Sequence, residues 1–204
     1  LWEKHPELFG NTGMDRFPLL VKIIDAKDDL SIQVHPDDAY AKVHENGSLG
    51  KTECWFILDC KENATLVAGH NAKTKEELER MIHEGRWKEF IREIPIKPGD
   101  FIQIDPGTVH AIKGGTLLLE TQQSSDITYR VYDYDRLSNG KPRQLHIAQS
   151  IDVITVPAKS VDNSVVHTEK KDDVIQQLIQ CPYYTVYRID VEHRVETWQD
   201  KPFI

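Results

Sequence analysis

Residues 98–134 read PGDFIQIDPGTVHAIKGGTLLLETQQSSDITYRVYDY, and short apolar stretches alternate there with turns that contain glycine or proline. The turns are Pro98-Gly99-Asp100, Pro106-Gly107 and Gly114-Gly115. The predicted strands between and after them are 101–104, 109–112, 116–121 and 128–134. Short strands at such short intervals are typical of a β-sandwich or a β-barrel. This segment therefore predicts a mainly β fold.

Three segments upstream extend the β pattern. Residues 17–24 (FPLLVKII) are a short apolar run, and residues 53–59 (ECWFILD) are a mostly apolar predicted strand. Residues 30–35 alternate between apolar and polar side chains, so Gln33 and His35 share the polar face of a predicted strand. Pro36 ends that strand, and a short helix is predicted at 39–45.

The clearest helical pattern covers residues 74–93 and predicts a helical insertion that packs on the β core. Thr74 can cap the helix and Glu77 completes a capping box, while Gly85 is predicted to divide the segment into two helices. Further downstream, residues 139–149 are predicted to be irregular and then helical. Alternation returns at 183–191, which predicts the beginning of a second β unit.

Composition excludes several classes of protein. The formal net charge is -8, from 25 basic and 33 acidic residues, which argues against nucleic acid as the main partner because phosphate backbones require a basic surface. Three cysteines are too few for a disulfide framework, so we expect a reducing, cytoplasmic setting. We expect no membrane span or signal peptide, since no apolar run approaches about 18 residues. Both ends of the chain look cut, so we expect a segment of a longer protein.

Four residues form a candidate metal site: Gln33, His35, Glu53 and His110. Imidazole nitrogens and carboxylate oxygens are ordinary zinc ligands, whereas the neutral amide of glutamine is an uncommon one. With two histidines and one glutamate, such a site keeps about one net positive charge and remains a strong Lewis acid. The competing interpretation is chance spacing among nine histidines. The other histidines predicted to lie at the surface are His5, His70, His83, His146, His167 and His193.

The sequence around these four residues resembles a known family. The stretches IQVHPDD (32–38), GKTECWFIL (50–58) and PGDFIQIDPGTVHAI (98–112) together resemble the metal motifs of the cupin superfamily. With LLLETQQSSDITYRVYDYDR (117–136), they are similar in more detail to type I phosphomannose isomerase, and above all to its short bacterial form. The resemblance extends over about residues 17–156. All four candidate ligands occupy positions that supply metal ligands in that family.

The resemblance implies a cupin-type jelly-roll β-barrel with a few helices packed on it. Residues 1–157 would form the metal-binding catalytic domain, with its N-terminal part missing and a helical insertion at about 74–93. Residues 158–204 would form a linker and the truncated beginning of a second cupin-like β domain. One Zn²⁺ per chain is the expected cofactor, although other divalent ions suit these ligands.

The same resemblance implies an enzyme that interconverts mannose 6-phosphate and fructose 6-phosphate through an enediolate. Zinc at the four ligands would polarise the sugar oxygens, Arg130 and Lys51 would stabilise the anionic transition state, and Glu120 or a bound water would relay the proton. A structural alternative for Glu120 is a salt bridge to Arg130, with Asp126 orienting that arginine. Weaker candidates for substrate or phosphate contact are Asp126, Lys113 and Arg136. For Lys113 a solvated loop position is the competing interpretation.

Two other functions are consistent with the metal site. The first is a sugar-phosphate-binding cupin that does no chemistry and acts as a sensor or regulator, although such a protein would not require Glu120, Arg130 and Lys51 in register with the ligands. The second is an oxygen-using iron cupin, which Gln33 argues against because such sites usually prefer a histidine-rich ligand set. The expected partner is a small sugar phosphate, and the chain is expected to be a monomer or a homodimer.

Overall fold

Strands make up most of the regular structure in the computed structural model, which describes residues 2–9, 13–14, 16–160 and 165–198. One sheet contains, in spatial order, β1 (Leu19–Ala26), β8 (Thr116–Gln123), β3 (Glu53–Cys60), β6 (Asp100–Ile104) and β12 (Val165–His167). The other contains β5 (Ile91–Pro95), β4 (Thr65–His70), β7 (His110–Ala111), β2 (Ile32–Val34) and β9 (Tyr129–Tyr132). Neighbouring strands in both sheets are antiparallel, which confirms the mainly β prediction.

Two hairpins and a few short helices complete the regular structure. The hairpins are β10 (Leu137–Ser138) with β11 (Lys141–Pro142), and β13 (Val174–Gln180) with β14 (Thr185–Asp190). The helices are a 3₁₀ turn at Pro6–Phe9, α1 (Asp38–His44), α2 (Lys75–His83), α3 (Trp87–Phe90) and α4 (Ile147–Val153). Within the described ranges, none of these helices has the length and apolar character needed to cross a membrane.

The predicted helical insertion at 74–93 is correct over most of its length and wrong at its end. The Glu77 amide donates a hydrogen bond to Thr74 Oγ1 over 3.2 Å, so Thr74 caps α2 as expected. Gly85 adopts a φ of 64° between α2 and α3, a left-handed conformation that glycine accepts without strain. Residues 91–93 belong to β5 instead, because their backbone pairs with β4, a strand that sequence periodicity did not predict.

Three buried clusters define the layers. Side chains from both sheets share one cluster, so the inner faces of the sheets pack against each other; its members include Trp55, Ile57, Leu66, Ala68, Ile102 and Leu118. The helices cover the outer face of the second sheet, where Leu78, Met81 and Phe90 pack on Ile32, Val34 and Val131. The β13–β14 hairpin covers part of the outer face of the first sheet, where Leu178 and Tyr184 pack on Cys54 and Phe101.

Candidate metal centre

The second sheet brings two of the candidate ligands side by side. Gln33 of β2 lies opposite His110 of β7 on one side and opposite Arg130 of β9 on the other. Side chains directly opposite one another in an antiparallel pair lie on the same face of the sheet. Because Ile32 and Val34 pack under the helices, the alternation directs Gln33 towards the first sheet. The predicted polar inner face of this strand is therefore confirmed.

The first sheet contributes Glu53 from the facing side. Glu53 is the first residue of β3, and period-two alternation puts it on the same face as Trp55 and Ile57. Both of those side chains lie in the cluster between the sheets. His35 directly follows β2, and its carbonyl accepts a hydrogen bond of 2.9 Å from the Gly107 amide, in the turn that leads to His110. The four predicted ligands thus come from one strand of the first sheet, two strands of the second sheet and the residue that directly follows β2.

The donor atoms of these residues converge. The Nε2 atoms of His35 and His110 are 3.2 Å apart, and the carboxylate oxygens of Glu53 lie 3.4 Å from each of those nitrogens. One donor atom from each of the three residues lies within 4.8 Å of the other two. The Gln33 amide nitrogen is 3.2 Å from His110 Nε2, and turning the amide over would present its oxygen at the same position. His35, Glu53 and His110 are each at most 1% exposed.

Burial and hydrogen bonding set the ionisation of the site. Burial lowers the pKa of His35 to about 4 and also lowers that of His110, despite the nearby Glu53 carboxylate. The Nδ1 atom of His110 lies 2.8 Å from the Thr108 carbonyl, so a proton on Nδ1 leaves the lone pair of Nε2 directed at the site. Burial alone would raise the pKa of Glu53, but the Lys51 ammonium and His35 hold it well below its usual range. Neutral imidazole and ionised carboxylate are the forms that bind a metal ion.

This arrangement fits a Zn²⁺ ion. Bonds of about 2.0–2.1 Å in a tetrahedral zinc site put neighbouring ligand atoms about 3.3 Å apart. The two Nε2 atoms are 3.2 Å apart, and each lies 3.4 Å from a different oxygen of Glu53. Both Glu53 oxygens are fully buried and make no well-directed hydrogen bond within the described residues. The Lys51 ammonium, 2.8 Å from Oε2, offsets part of the cost of burying this carboxylate, and a bound cation between the ligands would offset more of it. Gln33, His35, Glu53 and His110 could therefore hold the ion.

Lys51 lies at the same place, as the sequence predicted. Its Nζ is 2.8 Å from Glu53 Oε2 and 3.0 Å from His35 Nε2, and the residue is 5% exposed. The loop that carries it joins α1 to β3, so Lys51 and Glu53 enter the interior together. A buried ammonium beside the candidate ligands can bind an anionic oxygen of a substrate that reaches the site.

Glu120 lies inside the sheet sandwich, but its ion-pair partner differs from the one predicted. Lys22 and Trp55 flank Glu120 on the neighbouring strands β1 and β3. The Lys22 ammonium donates to Glu120 Oε1 over 2.7 Å, and the Trp55 indole donates to Oε2 over 3.1 Å. The Trp55 ring in turn meets His110 edge to face, with centroids 5.5 Å apart. Glu120 therefore pairs with Lys22 and not with Arg130.

Arg130 shares the inner face with Gln33, yet Asp126 does not contact it. The Arg130 Nη1 donates to the Gln144 carbonyl over 2.8 Å, and the backbone amide of Arg130 donates to His146 Nδ1. Asp126 is exposed, and among the described hydrogen bonds and ion pairs none joins it to Arg130, so its expected role of orienting Arg130 stays a prediction. The Nε of Arg130 is buried and has no hydrogen-bond partner among the residues described.

Lys113 and Arg136 lie in ion pairs of their own. Lys113 donates to Glu93 Oε1 over 2.7 Å, in keeping with the loop position considered as its alternative. Arg136 donates to Asp133 Oδ1 over 2.6 Å and to the Asp29 carbonyl, and Arg143 forms two further bonds with the same aspartate. Both residues therefore have structural partners, and neither contacts the four candidate ligands in a described interaction.

Sequence reasoning missed two participants and misjudged two histidines. Lys22, which carried no special signal, pairs with Glu120, and the buried Gln122 accepts a second bond from the same ammonium. The only hint was that Lys22 alternates with the inward-facing Ile24. His70 and His146, predicted to lie at the surface, are buried and half-buried respectively; His70 contacts the Thr155 carbonyl over 2.9 Å.

Comparison with known proteins identifies the relatives. A family model described as phosphomannose isomerase type I, catalytic domain, matches residues 1–57. The chain is 53% identical over 205 residues to mannose-6-phosphate isomerase ManA of Bacillus subtilis (strain 168), covering all of this chain and 65% of that protein. It is 48% identical over 205 residues to a mannose-6-phosphate isomerase of Streptococcus mutans, covering all of this chain and 64% of that protein.

Comparison with solved structures finds enzymes of the same names. A crystal structure of the mannose 6-phosphate isomerase from Bacillus subtilis matches with a TM-score of 0.87 at 49% identity, over 99% of this chain and 65% of that one. A mutant phosphomannose isomerase from Salmonella typhimurium matches with a TM-score of 0.67 at 16% identity, over 83% and 63%, which shows a shared fold alone. The chain thus spans about 65% of the length of the relatives it matches most fully. The chain is therefore similar along its whole length to mannose-6-phosphate isomerases, with about half of its residues identical to theirs, and its first 57 residues match the type I phosphomannose isomerase catalytic-domain model.

Proposed function

We propose that this chain provides the metal site and catalytic groups of a zinc-dependent isomerase that interconverts mannose 6-phosphate and fructose 6-phosphate. The observation that carries the proposal is the convergence of His35, Glu53 and His110, with Gln33 beside them, in a protein about half identical to isomerases of that name. A sugar phosphate is the expected substrate, and three free cysteines are consistent with a cytoplasmic enzyme.

Gln33, His35, Glu53 and His110 would hold the zinc ion. When bound there, zinc supplies a Lewis acid that polarises the carbonyl and hydroxyl oxygens of the sugar. The choice of zinc rests on the donor set, because two imidazoles and one carboxylate at tetrahedral spacing suit this ion. Other divalent ions can bind similar ligands, so the metal is part of the proposal.

The isomerisation moves a proton between two adjacent carbons through an enediolate. The negative charge that develops on the sugar oxygens requires cations, and the buried Lys51 ammonium at the ligand cluster is suited to stabilise it. Arg130 is the second candidate, because its position opposite Gln33 in the sheet puts it on the inner face. Both side chains would stabilise the transition state without taking up the transferred proton.

Glu120 is our candidate for the proton transfer. Its carboxylate is 3% exposed and lies on the inner face of β8, which pairs with the strand β3 that carries Glu53. Hydrogen bonds from Lys22 and Trp55 hold it in one orientation. For a substrate that reaches this interior, a carboxylate fixed in position is a suitable general base. A bound water that relays the proton is the alternative. Asp126, Lys113 and Arg136 remain weaker proposals for substrate contact, to be tested after these three.

We also propose a division of the chain at about residue 157. Residues 158–204 include the β13–β14 hairpin, which forms a sheet of its own and would begin a second β domain in a longer protein. The division is not complete, since β12 pairs with β6 of the first sheet. The relatives are about half as long again as this chain, which is consistent with a further domain.

A coupled isomerase assay tests the proposal. The full-length gene product is stripped of metal, reloaded with Zn²⁺ and assayed with mannose 6-phosphate. We expect turnover that requires the metal and is lost in Glu53→Ala and His110→Ala, with His83→Ala as the exposed histidine control. Absence of turnover in a protein that still binds one metal ion per chain would contradict the isomerase and favour the non-catalytic sugar-phosphate sensor.

A further inference from the structure

The loop that carries Lys51 is held by its backbone. It begins after α1 ends at His44 and enters β3 at Glu53. Three consecutive amides in it are hydrogen-bonded: Gly50 donates to Asp38 Oδ1 over 2.7 Å, Lys51 to the Pro36 carbonyl over 3.0 Å, and Thr52 to Gln123 Oε1 over 2.8 Å. These three bonds, with those that the Thr52 and Leu49 carbonyls accept from Gln123 and Ser125, hold the backbone that carries the Lys51 ammonium.

Gly50 shows how closely this loop is seated. A Cβ atom at residue 50 would lie 2.4 Å from the carbonyl carbon of Asp37 and 2.5 Å from the amide nitrogen of Asp38. Contacts that short do not occur with backbone atoms, so only glycine allows the loop to approach the start of α1 this closely. The loop and the first residues of α1 consequently behave as one packed unit, with Asp38 at their junction.

The Asp38 carboxylate joins this unit to two other parts of the chain. Its Oδ1 accepts hydrogen bonds from the Gly50 amide and, over 3.1 Å, from the Gln123 side chain at the end of β8. Its Oδ2 accepts a bond of 2.8 Å from the Tyr183 hydroxyl, which comes from 145 residues further along the chain. Burial and this hydrogen bond raise the pKa of Tyr183 to about 12, so the hydroxyl remains a donor at neutral pH.

Tyr183 itself is anchored by its neighbours. It lies in the bend between β13 and β14, and the adjacent Tyr184 is 8% exposed and packs with Cys54, the residue after Glu53 in β3. The Tyr184 hydroxyl also donates to Gln103 Oε1 of β6 over 3.2 Å. The bend is thus fixed against the outer face of the first sheet, whose inner face presents Glu53. From this bend the Tyr183 hydroxyl reaches the Asp38 carboxylate.

We propose that Tyr183 is a positioning residue for the loop that carries Lys51. By bonding Asp38, Tyr183 holds the Gly50–Thr52 backbone in place and so keeps the Lys51 ammonium against His35 and Glu53. The bend of the C-terminal hairpin then contributes to a site that it does not enter. The catalytic consequence rests on the proposed function, whereas the effect on the loop does not. Asp38 links the two, because it is the group that Tyr183 and Gly50 share, and the Tyr183 hydroxyl also lies beside the Thr52 side chain of the same loop.

The test compares Tyr183→Phe with Tyr187→Phe in the full-length, zinc-loaded protein. Each variant removes one hydroxyl, and Tyr187 lies on the same hairpin with 48% of its surface exposed. Hydrogen–deuterium exchange is followed by mass spectrometry in peptides that cover residues 48–54. Loss of a bond to a carboxylate is expected to speed exchange there about tenfold in Tyr183→Phe. In the isomerase assay we expect kcat to fall roughly five- to tenfold, with KM changed less than about twofold.

A double-mutant cycle with Asp38→Asn separates positioning from general destabilisation. If Tyr183 acts through Asp38, the effects of the two substitutions on kcat are less than additive. Equal exchange and equal kcat in the two tyrosine variants would overturn the proposal, as would faster exchange spread equally over α2 peptides. Faster exchange at residues 48–54 in a protein without isomerase activity would uphold the structural link and refute the proposed function instead.

Discussion

The Nε2 atoms of His35 and His110 lie 3.2 Å apart although 75 residues separate them along the chain. Each imidazole is essentially fully buried, and burial lowers the pKa of both. When both Nε2 atoms are unprotonated, their lone pairs and the Glu53 carboxylate 3.4 Å away are suited to share one cation. The first prediction follows from that contact.

Removal of one ligand should abolish tight metal binding. We expect Glu53→Gln and His110→Ala each to lower the affinity for Zn²⁺ by more than about 100-fold, since even residues that only support a ligand affect affinity by about 10- to 100-fold. Competition with a chromophoric chelator measures the affinity, and elemental analysis gives the stoichiometry. His83→Ala, an exposed histidine at the end of α2, should bind like the parent protein. Retention of one tightly bound ion in both ligand variants would contradict the assignment.

The Lys22–Glu120 pair should matter for turnover and not for metal binding. Glu120→Gln is expected to lower kcat by about 100-fold or more, the usual contribution of a general base. Lys22→Met removes the 2.7 Å bond to Glu120 Oε1 and should lower kcat roughly tenfold, because the carboxylate then keeps only the Trp55 bond. Steady-state kinetics with zinc analysis checks both variants. Lys42→Met on the exposed side of α1 is the matched control. Normal turnover in Glu120→Gln would leave the bound water as the proton carrier.

Asp133 should contribute to stability in a pH-dependent manner. Hydrogen bonds from Arg143, followed by Arg136, lower its pKa to about 2 against the opposing effect of burial. A carboxyl whose folded pKa is lowered stabilises the protein above its ordinary pKa of 3.8, and that contribution is lost as the pH falls from about 4 to 2.

We therefore expect Asp133→Asn to lower the free energy of unfolding by about 1–2 kcal/mol at pH 7. The expected loss is small because the side chains of Arg136 and Arg143 are about two-fifths exposed, so solvent screens their charges. The difference from the parent should narrow at pH 3, as measured by urea denaturation at both pH values. Asp126→Asn, in an exposed position, should show little change at either pH. A difference that is the same at pH 7 and pH 3 would refute the assignment to ionised Asp133.

Cys54 should resist alkylation while the protein is folded. It is 2% exposed, and burial raises the pKa of its thiol to about 12, so almost no reactive thiolate exists at pH 8. Iodoacetamide should modify the half-buried Cys60 and Cys181 first and reach Cys54 only in denaturant, as followed by peptide mass spectrometry. Modification of Cys54 at the rate of Cys181 in the folded protein would show that the hairpin does not cover this face.

Several elements were predictable because their signals are local. Alternation at 30–35 predicted that Gln33 and His35 share a face, and the cap at Thr74 correctly predicted the start of α2. By contrast, β4, β5 and β13 lack a clean alternation and were not predicted, since pairing with other strands stabilises them. His70 was misjudged for the same reason, because its burial depends on β4 and on Thr155.

The amino-acid pattern was sufficient to predict the β class, and it singled out the four candidate ligands and the resemblance to type I phosphomannose isomerase, because strand periodicity and motif spacing are properties of neighbouring residues. Tertiary structure alone decided the partners: Lys22 and not Arg130 for Glu120, and Tyr183 for Asp38. Strand register and hairpin packing bring together residues as far apart as 98 and 145 positions in the chain. Periodicity indicates which face a side chain occupies, but the residue opposite it is set by pairing across the sheet, which no local pattern specifies.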